Sequence, residues 1–132
     1  MNVPDDSAPG FPPDWPSDCP PADANDPDGI FYRLVHGVLP APEDFVSYAE
    51  AGKQVQPGRA CEARGLSLFT DISDARHYLR KFPSLGRGIA SASLTDQHGK
   101  VTATPRGPAS SHSTWWPFAS TLRHSLFQHV DP

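Results

Sequence analysis

The sequence has few cysteines, one methionine and no long hydrophobic run. Its only cysteines, Cys19 and Cys61, show no C-x-x-C spacing and are too few for a disulfide framework, so we expect two free thiols. No segment approaches the roughly 20 apolar residues of a membrane span. The N-terminus lacks the charged start and apolar centre of a signal peptide. These absences predict a cytoplasmic protein that does not cross a membrane.

Proline and charge are distributed unevenly along the 132 residues. Residues 1–28 hold eight of the 16 prolines and seven of the 15 acidic residues, whereas all 11 basic residues lie beyond them. Such a segment buries too little apolar surface to offset the entropy of ordering it, so we predict a solvated arm. The alternative is that Phe11 and Trp15 dock on the basic body or on a partner. Residues 29–132 suffice for one domain.

The stretch 65–82 predicts a strand, a capped turn and a helix in direct succession. The strand is the apolar run 66–69, and the side chain of Asp71 is suited to cap a helix that begins near Asp74. Apolar residues recur at helical spacing up to Phe82 and predict one buried face.

The rest of the body alternates between strand and helix signals. Strands are predicted over 30–35, 88–94 and 100–104, a short helix over 42–49, and a helix or a strand over 122–130. We therefore predict an α+β domain over 29–132, with a small mixed or antiparallel sheet, two or three short helices and an extended acidic arm.

Arg33 is the first candidate functional residue, because it interrupts the apolar strand 30–35. By the two-residue period of a strand, it shares a face with Val35. A cation on a core-facing position needs an anionic partner or ligand, and the planar guanidinium suits phosphate. The alternative is a structural ion pair with Glu43 or Asp44.

The block 110–117, SSHSTWWP, is the densest functional candidate. Hydroxyls such as that of Thr114 donate to phosphates, the ring of Trp115 can stack on a base, and His112 titrates near neutrality. The alternative is that the indoles belong to the core.

The other histidines and the cysteines favour no separate chemistry. His124 and His129 are five residues apart, so they do not share a helical face, and we expect no metal. A nucleophilic role of Cys61 lacks any local motif.

Over about residues 30–117 the chain contains, in order, FYRLVHG, a helix, GLSLFTD followed by SDARHYLRKF, and the strands GIASASL and KVTAT. This order resembles small bacterial members of the ADP-ribosyltransferase-like fold. The resemblance implies that Arg33 or His36 on the first strand holds the ribose and phosphates of NAD. It also implies that Ser67 shapes the nicotinamide pocket.

A glutamate late in the chain, which the typical transferase of this family uses, is absent, since no glutamate follows Glu62. RNA 2′-phosphotransferases of the same broad fold rely on arginine and histidine instead, and His112 lies where a late catalytic side chain is expected. The resemblance therefore implies an NAD- or nucleotide-directed modifying enzyme or toxin-like protein with Arg33 and His112 as catalytic residues.

The alternative is a non-catalytic interaction module, such as an immunity protein, antitoxin or assembly factor, that uses the acidic arm and the tryptophans. The net charge of −4 argues against a nucleic-acid partner.

Overall fold

The fold is an antiparallel sheet of six strands with one α-helix, in a computed structural model that describes residues 10–131. The sheet order is β4-β5-β2-β1-β3-β6. In chain order the elements are β1 (Gly29–Val35), β2 (Leu66–Phe69), α1 (Ile72–Lys81), β3 (Gly88–Leu94), β4 (Lys100–Ala103), β5 (His112–Trp116) and β6 (Gln128–Val130), with 3-10 helices at Pro42–Phe45, Glu62–Arg64, Pro83–Leu85 and Arg123–Leu126.

Both faces of the sheet are covered. One face buries Val35 and Trp115 in a cluster with Phe45 and Phe127. Phe45 is the last residue of the first 3-10 helix, and Phe127 directly precedes β6. The opposite face buries Phe69 and other apolar residues beneath α1. Since side chains alternate along a strand, β1, β2 and β3 each contribute to both layers.

The capped helix confirms the most specific local prediction. The Asp71 carboxylate accepts a hydrogen bond from the Ser73 N–H at 2.9 Å, and α1 begins at Ile72. Ala75 is fully buried, and Tyr78 packs against the ring of Phe69. Phe82, which was expected on the buried face, lies after the end of the helix and is 40% exposed.

The solvated arm is wrong for residues 10–28, while residues 1–9 lie outside the described part. Trp15 and Cys19 are buried against Trp116. Asn25 forms an antiparallel bridge with Val101 at the outer edge of β4. The segment packs on the body because its few apolar side chains form one cluster with Trp116. In addition, Cys19 is covalently linked to the body.

That link is a disulfide between Cys19 and Cys61, so the expectation of free thiols is wrong. The Cα atoms lie 5.3 Å apart although 42 positions separate them in the chain. Spacing alone did not reveal the pair, since it is brought together by the packing of the N-terminal segment.

The prediction of two or three short helices also needs correction. The helix over 42–49 is only the 3-10 helix Pro42–Phe45, and residues 122–130 form a 3-10 helix and then β6, so α1 is the one α-helix of residues 10–131. The strands β3 and β4 follow each other in the chain as predicted, yet they lie far apart in the sheet, because β3 pairs with β1 and β6 while β4 pairs with β5.

None of the helices in the described residues is both long and apolar enough to cross a membrane.

Candidate functional site

A cleft of about 890 Å³ opens where β1 and β2 separate. The two strands pair only at Tyr32 and Phe69, whereas their outer neighbours β3 and β5 pair along the whole of β1 and β2. Side chains from β1, β2 and β5 therefore line one cavity, together with the irregular segment 46–65. Its size is that of a site for a small molecule or a nucleotide.

Arg33 contributes a guanidinium to this cleft. Its Nε donates to the backbone carbonyl of Asp44 and its Nη1 to that of Ser67, both at 2.8 Å, and the group lies over the Phe45 ring. Burial lowers the pKa of Arg33 to about 10, so the side chain is charged at neutral pH. No carboxylate of residues 10–131 forms an ion pair with it.

The Asp44 carboxylate, which the sequence offered as a partner of Arg33, is used elsewhere. It accepts hydrogen bonds from the backbone N–H groups of His36 and Ala41, each at 3.0 Å. The His36 ring lies at its edge, with Nδ1 2.9 Å from Oδ1, and is mostly exposed. Burial alone would raise the pKa of Asp44, but these hydrogen bonds outweigh it and lower the pKa. Asp44 thus orders the chain between β1 and the first 3-10 helix.

His112 lies at the start of β5, opposite Phe69 of β2, and its ring lines the cleft. Nδ1 is 2.9 Å from the carbonyl oxygen of Thr104. A carbonyl can only accept, so Nδ1 carries the hydrogen and Nε2 keeps its lone pair. Burial and the nearby Arg106 lower the pKa of His112, which keeps the ring neutral at physiological pH.

An aromatic wall lies beside this histidine. The Phe69 ring meets the His112 ring edge-on, with centroids 5.4 Å apart, and Tyr78 from α1 packs against Phe69 at 5.2 Å. All three rings line the cleft. Ser67, two residues before Phe69, is exposed and also lines it.

Arg33, on the face of Val35, and His112, on the face of Phe69, reach this cavity from opposite faces of the sheet, through the gap between β1 and β2. His36 and Ser67 also line the cavity, but the other two candidates do not. Trp115 is fully buried in the opposite layer, where it packs on Phe127 and its Nε1 donates to the carbonyl of His98. It follows the alternation of β5, which turns it away from His112.

Thr114 does share the face of His112, yet it is buried, and its hydroxyl lies 2.9 Å from that of Thr104. Neither Thr114 nor Trp115 lines the cleft.

Charged residues that the sequence did not single out also line the cleft. Glu62 interacts with Arg59 at 2.6 Å and with Arg106 at 3.9 Å. Both Glu62 and Arg106 are near enough to His112 to influence its pKa in opposite directions. Arg59 and Arg106 come from loops and Glu62 from a single 3-10 turn, where no periodicity marks the direction of a side chain.

Residues 10–131 contain no group of three or more histidine, cysteine, aspartate or glutamate side chains arranged to hold a metal ion. Comparison of the chain with protein-family models, curated proteins and solved structures found no significant match. The chemistry of the residues that line the cleft is therefore the basis for a functional proposal.

Proposed function

We propose that this chain is an NAD- or nucleotide-directed modifying enzyme, toxin-like in character, that binds its nucleotide in the cleft between β1 and β2. The proposal combines the resemblance to the ADP-ribosyltransferase-like fold with the chemistry of the cleft. The anion-binding group would be Arg33, the proton-transferring group His112, and the residue beside the reacting part of the ligand Ser67.

The observation that carries the proposal is the guanidinium of Arg33. It is charged, partly buried and held in place by two backbone carbonyls, but it has no ion-pair partner in the described part of the chain. Burial outweighs the attraction of the Asp44 charge, since that carboxylate is engaged by the backbone N–H groups of His36 and Ala41, and an anionic ligand would supply the remaining counter-charge. The planar fork matches the oxygens of a phosphate.

His112 supplies the second chemical function. With Nδ1 donating to Thr104, the free Nε2 can accept a proton from a hydroxyl or a water in the cleft. An arginine and a neutral histidine suit chemistry at a phosphate or at a bond that leaves a phosphate-bearing group. The partly exposed ring of Tyr78, which packs against the buried Phe69, offers a stacking surface for a base or a nicotinamide ring.

The interaction-module alternative depends on an acidic arm and exposed tryptophans. In the described residues, Trp15 and Trp116 pack in one cluster, and Trp115 lies in the core. The tryptophan face that this alternative requires is buried within the chain, although the aspartates of residues 10–28 are exposed, so we favour the cleft. The cytoplasmic location expected from the sequence stays a prediction.

The test is to incubate the purified protein with NAD and to measure nicotinamide release, with and without RNA or protein acceptors. We expect release by the wild type and a loss on the order of 10²-fold or more in His112→Gln, which keeps a donor and an acceptor but does not titrate near neutrality. Equal turnover by the two proteins would remove His112 from the mechanism. Absence of binding and turnover with NAD, other nucleotides and RNA would refute the proposed function.

A further inference from the structure

One irregular segment, residues 46–65, forms a large part of the cleft wall. It supplies half of the residues that line the cavity, among them Tyr48, Lys53, Arg59 and Glu62. Its only regular element is the 3-10 helix Glu62–Arg64. A wall without a hydrogen-bonded ladder of its own depends on ties to the rest of the molecule.

The first half of this segment is tied by side chains. Glu50 accepts two hydrogen bonds from Arg123, at 2.7 and 2.9 Å, and one from the Ser47 N–H. The Ala49 N–H donates to the Ala63 carbonyl and joins the two halves. Residues 52–54 and 56–60 are exposed.

The second half is tied at Cys61. The disulfide joins it to Cys19, and the Trp116 Nε1 donates to the Cys61 carbonyl at 2.9 Å. Arg59 and Glu62, on either side of Cys61, both line the cleft.

The other end of the disulfide is firmly anchored. Cys19 is buried beside Trp15 and Trp116, and the segment that carries it is hydrogen bonded to the body at both ends, through Gly10 to Ala119 and through Asn25 to Val101. The disulfide therefore connects the cleft wall to a fixed part of the fold.

From this arrangement we propose that the Cys19–Cys61 disulfide holds the wall 46–65 in place, so that the complete cleft exists only in the oxidised protein. A thiol reductant would deliver two electrons and two protons, break the Sγ–Sγ bond and leave two thiols, while it is itself oxidised to a disulfide. The wall would then keep its hydrogen bonds, the ion pair of Glu50 with Arg123 and the packing of the buried Ser47 and Ala63.

One consequence concerns the place of action. Disulfides persist in oxidising environments and are rare in a reducing cytosol. The binding form of the protein would thus belong to an oxidising compartment or to the outside of the cell, and transfer to a reducing cytosol would loosen the cleft. The effect on ligand binding rests on the proposed function, whereas the effect on the wall does not.

Amide hydrogen exchange measured by mass spectrometry tests the wall directly, without a ligand. The chain has no other cysteine, so a reductant has a single target. On reduction of the wild type we expect exchange at least 10-fold faster in peptides from 46–65, at labelling times at which β3 is still protected, because β3 opens only by global unfolding. The double variant Cys19→Ala/Cys61→Ala should exchange rapidly in this segment in both buffers, which controls for the reductant itself.

Unchanged exchange over 46–65 on reduction would overturn the proposal. Deprotection of β3 at the same labelling times as 46–65 would also overturn it, since the whole fold and not the wall alone would then have opened. If the double variant fails to fold, the reduced wild type still decides.

A parallel titration with ADP-ribose, used as the probe, should give an affinity at least 10-fold weaker after reduction. Failure of the oxidised protein to bind ADP-ribose would count against NAD as the ligand and leave the exchange result standing.

Discussion

Removal of the Cys19–Cys61 disulfide is the perturbation whose size follows most directly from the structure. The link closes a loop across 42 positions of the chain. The loop-closure relation for a crosslink of this length gives an entropy of about −13 cal/mol/K in the unfolded state, or about 4 kcal/mol at 25 °C. The variant Cys19→Ala/Cys61→Ala should therefore lose about 4 kcal/mol of unfolding free energy, and its Tm should fall by on the order of 10–15 °C.

Urea titration followed by circular dichroism measures the loss. The comparison must use the free energy extrapolated to water, because removal of a crosslink expands the unfolded state and raises the slope against denaturant. The control is the same variant with a reductant, which should change nothing, while the reductant should bring the wild type down to the level of the variant. A difference below about 1 kcal/mol between the oxidised wild type and the variant would refute the reasoning.

Three other expectations concern single residues. His112→Gln should lose the acid limb of the activity profile, and because burial lowers the pKa of His112, that limb should lie below pH 6.5 in the wild type, as measured by nicotinamide release across pH. Asp44→Asn should cost about 1–3 kcal/mol in a urea titration at pH 7, since one backbone donor loses its acceptor. The lowered pKa of Asp44 means that the wild type's advantage is present above pH 3.8 and disappears as pH falls through the folded-state pKa. Trp15→Ala should cost about 3–5 kcal/mol if the N-terminal segment is part of the core, and less than about 0.5 kcal/mol would return it to a solvated arm.

Local signals predicted those elements whose cause is local. The helix α1 has its cap at Asp71 and its apolar spacing in one short stretch, while β1 is rich in β-branched and aromatic residues and β3 is bounded by turn residues. The predicted helix over 42–49 starts as expected, with the Asp44 carboxylate on the Ala41 N–H, but the chain becomes extended at Val46 and Tyr48 remains half exposed. The disulfide depends on contacts across 42 positions, and no local pattern encodes it.

The candidate site was predictable to a similar extent. Arg33 stood out because a cation interrupts a buried strand, and His112 because it lies in a polar block that becomes the start of β5. The prediction that Trp115 binds a cofactor lacked the register of β5, which places the indole in the opposite layer. Glu62 and Arg106 reach the cleft through loop geometry, which the sequence alone does not specify.

The proposed function requires that Arg33 holds the phosphate of a nucleotide. Isothermal titration of the oxidised protein with ADP-ribose, for the wild type and for Arg33→Lys, tests it most directly. Lysine keeps the charge but loses the fork, and it can serve only part of the hydrogen bonding to the carbonyls of Asp44 and Ser67, so some loss of stability is expected as well. We expect saturable binding by the wild type and binding at least 10-fold weaker by Arg33→Lys, which should still be folded. Equal affinities, or no binding by either protein at millimolar ligand, would contradict it.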